Sequence, residues 1–111
     1  MARINYVELP VADTARAKAF YGSAFGWAFT DFGPTYAATT SGDTDLGFQA
    51  DPAEKTATLL PVIDVADVDA AFAAVEAAGG AITLPIVEYP GGKRFHFRDP
   101  DGHELAVSQS D

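Results

Sequence analysis

The chain has 111 residues, 48% of them hydrophobic and 12% aromatic, which is enough for a packed core and too apolar for a disordered segment. Sixteen acidic residues against seven basic ones leave a formal charge of −9, which excludes the basic footprint that nucleic acids and anionic membranes call for. With no cysteine, disulfides, thiolate metal sites and cysteine nucleophiles are excluded as well.

No apolar run approaches the ~18–20 residues of a membrane span. The first residues lead straight into a strand pattern with no signal peptide, so a cytoplasmic location is expected. An internal repeat sets the organisation. Val11-Ala12-Asp13 recurs as Val65-Ala66-Asp67, and Gly26 matches Gly80 at the same spacing. A repeat of this length in so short a chain means two halves rather than a solenoid. We read one domain, residues 1–111, made of pseudo-repeats 1–50 and 57–111 joined by a polar linker, 50–56.

The first half opens on a strand in which Asn5, Val7, Leu9 and Val11 alternate with Tyr6, Glu8 and Pro10. A period of two sends the two sets to opposite faces. Asp13 is placed to cap a helix whose apolar stripe is Ala17, Phe20, Tyr21, Ala24 and Phe25, closed by Gly26. Three strand-like segments follow, Trp27–Asp31, Thr35–Thr40 and Leu46–Gln49, with turns at Gly33-Pro34 and Ser41-Gly42-Asp43.

The second half repeats the plan. Thr58–Val65 is a strand with a continuous apolar run. Asp67 caps a helix carrying Val68, Ala71, Phe72 and Val75, which Gly79-Gly80 ends. Ala81–Val87, Arg94–Arg98 and Glu104–Ser108 are the three strands. Pro90-Gly91-Gly92 forms one turn, and Asp99-Pro100-Asp101-Gly102 has the residue order of a type I turn. Alternation groups Phe95 with Phe97, and Arg94 with His96 and Arg98. The fold class is α+β: two βαβββ modules in one chain, forming a curved, cleft-enclosing mixed sheet with two outer helices.

Three stretches carry a resemblance: Ile4–Asp13 with its Glu-Leu-Pro-Val centre, Phe20-Tyr21-Gly22-Ser23-Ala24-Phe25-Gly26-Trp27, and Phe97–Leu105 around Asp-Pro-Asp-Gly-His. Together they resemble the vicinal oxygen chelate superfamily, which includes glyoxalase I, extradiol dioxygenases, and fosfomycin- and bleomycin-resistance proteins. The resemblance implies a divalent metal held by His, Gln or Glu from the first and last strands of each half. The matching positions here are Tyr6, Leu60, Ala106 and one of Gly47, Phe48 and Gln49. Leu60 and Ala106 have no donor atom, and a phenol is a poor ligand at neutral pH. We therefore expect no metal and no cofactor. His96 and His103, with Glu104 or Glu88, are not expected to form another metal site.

Tyr6 and Glu8 share one strand face and should point into the cleft, where a carboxylate beside a phenol can orient an amine or hydroxyl. The candidate ligand-binding residues are Tyr6, Glu8, Trp27, Phe48, Gln49 and His96. The expected function is binding of a small aromatic or cationic molecule, as in drug-sequestering relatives. Alternatives are a lyase or isomerase with Glu8 as general base, a metal-dependent enzyme if the ligand positions are misplaced, or a structural or regulatory protein with no substrate. Glyoxalase or dioxygenase catalysis through a metal is not expected. Family members of this size commonly pair, so a homodimer is expected.

Overall fold

The computed structural model describes residues 2–111. Ten elements follow in chain order: β1 (Arg3–Pro10), α1 (Thr14–Phe25), β2 (Thr30–Asp31), β3 (Tyr36–Ala38), β4 (Asp45–Gln49), β5 (Leu60–Asp64), α2 (Val68–Ala77), β6 (Ala81–Tyr89), β7 (Gly92–Arg98) and β8 (Glu104–Ser110). The architecture is α+β, and each half has the βαβββ order. The chain divides into two compact units: one spans Tyr6–Leu59, and the other joins residues 2–5 to Leu60–Asp111.

In the Tyr6–Leu59 unit the strand order is β2-β3-β4-β1, with β1 and β4 parallel and the other pairs antiparallel. Asp13 caps α1 by accepting the Arg16 N–H at 3.1 Å, and Gly26 closes it at φ 73°, in the left-handed region that favours glycine. The helix meets the sheet through Tyr21, whose ring stacks 5.5 Å from Phe48. The expected apolar stripe is only half covered, because Phe20 and Phe25 remain 62% and 61% exposed. The second strand is also shorter than expected. Trp27 leaves the strand path and stacks on Phe25 at 5.1 Å and Tyr21 at 5.9 Å, so pairing begins only at Thr30.

The other unit has the order β5-β8-β7-β6, again with its first strand parallel to its last. Asp67 caps α2 through the N–H groups of Asp69 and Ala70, both at 3.1 Å. Val68, Phe95 and Val107 form its buried core, with Phe72 edge-on to Phe95 at 5.1 Å. The Asp99–Gly102 turn closes with a 2.9 Å bond from the Gly102 N–H to the Asp99 carbonyl. The Asp99 carboxylate accepts the Asp101 and His103 N–H groups, each at 2.9 Å. Among the described residues, no helix is long and apolar enough to cross a membrane.

Candidate functional site: a hydroxyl–carboxylate chain over Gly47

Strand register assembles a polar group on β1, β3 and β4. Glu8 on β1 lies opposite Gly47 on β4, and Gly47 lies opposite Ala38 on β3. Tyr6 stands one step to one side, in the row of Asp45, while Tyr36 stands in the row of Gln49 on the other side. The two rings lean toward each other, and their hydroxyls meet at 2.5 Å above Gly47. Tyr36 Oη donates on to Glu8 Oε1 at 2.9 Å. Glu8 is 3% exposed, and both tyrosines are half-buried.

Gly47 makes this possible through its missing side chain. Its backbone is outside the left-handed region, so conformation does not call for glycine. A Cβ there would overlap Tyr6 Oη and stand 2.5 Å from Tyr36 Oη. Burial, then the neighbouring Glu8 charge and Tyr6, push the Tyr36 phenol far above its usual range, so it stays protonated.

The expected site residues fall into three places. Tyr6 and Glu8 are together, as the strand period implies. Gln49 is buried in the same sheet but turns its Oε1 to the Asp51 N–H at 3.1 Å. Phe48 and Trp27 are not brought to Tyr6 and Glu8. Alternation turns Phe48 toward α1, where it packs on Tyr21 and Phe29, and Trp27 joins the aromatics of that helix at 45% exposure. His96 belongs to the other unit, where it is buried and places Nδ1 3.2 Å from Glu104 Oε2. Thr83 Oγ1 donates to the same carboxylate oxygen at 3.0 Å. Nearby in that unit, Tyr89 shares a hydrogen bond with Ser108 and lies beneath Arg94, 5.7 Å from ring centre to guanidinium.

Tyr36 is the residue that the sequence did not single out. Its signal, a tyrosine opposite Gln49 in an antiparallel pair, becomes readable only once the β3–β4 register is known.

The donor chemistry does not fit the metal that the resemblance implies. At the matching positions Leu60 and Ala106 offer hydrocarbon, and of Gly47, Phe48 and Gln49 only Gln49 has a donor atom, its Oε1 accepting from the Asp51 N–H. The Tyr6 hydroxyl is bonded to Tyr36. Among the described residues, no three His, Asp or Glu side chains are grouped to hold a cation.

The family model of the Glyoxalase/Bleomycin resistance protein/Dioxygenase superfamily matches residues 3–107. The CFP32 proteins of Mycobacterium bovis and Mycobacterium tuberculosis are 31% identical over 117 residues, covering 96% of this chain. The chain spans 45% of the length of these curated relatives. A superfamily member from Vibrio splendidus superposes with a TM-score of 0.73 at 19% identity, each chain fully covered. Methylmalonyl-CoA epimerase from Mycobacterium tuberculosis gives 0.75 at 14% identity, over 97% of this chain and 87% of its own. The Mn(II)-bound glyoxalase of Novosphingobium aromaticivorans gives 0.70 at 24% identity, over 98% of this chain and 40% of its own. These structures share the fold, and the family model covers nearly the whole sequence: the chain belongs to the glyoxalase/bleomycin resistance protein/dioxygenase superfamily.

Proposed function

We propose that this protein binds a small organic molecule at the Tyr6–Tyr36–Glu8 group, without the metal its superfamily commonly uses. The observation that carries the reading is the pair of tyrosine hydroxyls over Gly47, where a side chain would otherwise project, backed by a buried carboxylate. Two phenol rings beside a carboxylate suit a ligand with an aromatic or cationic part. The negative net charge of the chain favours cations further.

The test is a thermal-shift and calorimetric screen of aromatic and cationic compounds on the full chain, alongside titration with nickel, zinc, manganese and iron(II). The reading expects ligands whose binding Tyr6→Phe weakens. Stoichiometric metal binding would overturn the metal-free part, and a screen with no hits would overturn the binding part.

A second reading is supported by the burial of Glu8 beside a phenol donor: the carboxylate acts as general base on a bound substrate. Any turnover found should fall steeply in Glu8→Gln, and unchanged turnover ends this reading. We also read the working form as a cytoplasmic homodimer. The exposed Phe20, Phe25 and Trp27 support pairing, and sedimentation that shows a monomer at high concentration removes it.

A further inference from the structure

A groove of about 430 Å³, open to solvent, follows α1 and the segment that leads into it. Asp13, Arg16, Ala17, Phe20 and Tyr21 line it together with Val11. The first five stand at i, i+3, i+4, i+7 and i+8, so the groove keeps to one face of the helix for two turns. None of these residues belongs to the Tyr6–Tyr36–Glu8 group. The volume lies in the range that small organic ligands fill.

The groove joins an unpaired cation to uncovered aromatic surface. The Tyr6–Leu59 unit has the basic side chains Arg16, Lys18 and Lys55. Lys18 pairs with Asp31 at 2.6 Å, and Lys55 donates to the Val11 carbonyl at 3.3 Å. The Arg16 guanidinium makes no hydrogen bond or ion pair among the described residues. Asp13 brings a carboxylate to the groove, but its Oδ1 is engaged by the Arg16 N–H at 3.1 Å. Lys55, held on Val11, adds a second positive charge to the same segment. Phe20 is 62% exposed and stands edge-on to Tyr21, with 5.0 Å between ring centres. Arg16 and Phe20 are four residues apart, about 6 Å along the helix axis. A short alkyl link between a ring and a carboxylate covers that distance.

We propose that this groove binds an arylalkyl carboxylate, with Arg16 holding the carboxylate and Phe20 and Val11 covering the ring. The guanidinium fork matches the two carboxylate oxygens, and the exposed ring gains from being covered. This is a second site, independent of the binding reading above. Phe25 and Trp27, whose exposure supports pairing, are not among the residues that line it. Arg16 is exposed, so water competes for its charge, and the preference for an anion is about fivefold rather than a hundredfold.

The test uses 3-phenylpropionate and its neutral amide, 3-phenylpropanamide, which share ring and length, on the full chain. Affinity is read from the fluorescence of the single tryptophan, Trp27, whose ring stacks 5.9 Å from that of Tyr21 in the groove lining. Location is read from the backbone amide signals of nitrogen-labelled protein. The acid should bind about fivefold or more tightly than the amide and move the signals of residues 11–21. Arg16→Gln should bring the two affinities within about twofold and leave the melting temperature unchanged, because the guanidinium supports no contact among the described residues. Phe20→Ser should weaken acid and amide alike, which a surface arginine acting by charge alone would not show. Equal affinity for acid and amide in the unmodified protein overturns the inference, as does a preference that survives Arg16→Gln or binding untouched by Phe20→Ser. Signal changes centred on Tyr6 and Tyr36 would put the acid at the other site and overturn it too. If 3-phenylpropionate does not bind at all, the inference fails while the Tyr6 reading stands.

Discussion

Gly47→Ala is the sharpest perturbation of the site. The added methyl overlaps Tyr6 Oη and lies 2.7 Å from Tyr6 Cζ and 2.5 Å from Tyr36 Oη. The Tyr6 ring must move, and the hydrogen bond to Tyr36 breaks with it. Overpacking of this kind costs about 1–3 kcal/mol. Replacing glycine by alanine in a strand returns about 0.5–1 kcal/mol of backbone entropy. Because the methyl overlaps the Tyr6 oxygen outright, the clash belongs to the upper part of that range, about 2–3 kcal/mol, and the net loss is about 1–2.5 kcal/mol, which lowers the melting temperature by about 5–15 °C in a domain of this size. Chemical denaturation of Gly47→Ala should show a lower midpoint at an unchanged slope. In a Tyr6→Val background the closest clash is gone and the 2.5 Å approach to Tyr36 Oη remains, so the same substitution should cost clearly less than in the parent. A cost below about 0.3 kcal/mol in the parent, or an equal cost in both backgrounds, would refute the account, since additive behaviour means that the two residues do not touch.

Other consequences follow from the same contacts. Tyr36 holds its proton more tightly when folded than when unfolded, so the folded state binds more protons above the unfolded phenol value near 10, and stability falls as pH rises beyond it; Tyr36→Phe should flatten that alkaline decline in a pH series of denaturation curves. Asp45 shows the opposite sign: despite some desolvation, hydrogen bonds from Thr39, Ser41 and Gly42 lower its carboxyl to about 2. Its contribution is present above the unfolded value and lost as pH falls toward 2, so the stability gap between wild type and Asp45→Asn should close in acid. Gly92→Ala should be worse than Gly47→Ala, because its methyl presses on the Gln109 carbonyl of the adjacent strand rather than on a movable ring; equal melting temperatures for the two variants would contradict this. Asp67→Ala removes the acceptor for two N–H groups of α2 and should cost about 1 kcal/mol, read by thermal unfolding.

Much of the fold was readable from local rules. Asp13 and Asp67 cap helices because a short carboxylate reaches the first-turn N–H groups wherever the chain enters a helix from an extended residue. Gly26 closes α1 because only glycine takes a left-handed backbone without steric cost. The alternation in β1 brought Tyr6 and Glu8 to one group, and that in β7 separated Phe95 in the core from His96 on the other face. These are properties of neighbours along the chain, and the sequence contains them directly.

The remainder depends on contacts between distant residues. Tyr36 lies 30 positions from Tyr6 and reaches it only because β4 pairs in parallel with β1 and antiparallel with β3. A shift of one residue in either register would turn one of the tyrosines to the opposite face. The vacancy over Gly47 exists only through that same pairing, so glycine there reads as an ordinary strand residue until the two rings are placed. Phe48 and Trp27 carried the same aromatic signal as Tyr36, yet packing sent them to α1. The half-exposed stripe of α1 has the same origin: periodicity marks which residues share a helix face, while the sheet beneath covers only the part around Tyr21. Sequence thus determined the elements, their caps and the side of each strand. Tertiary structure decided which hydroxyls meet, because register is a property of paired strands and no single strand encodes it.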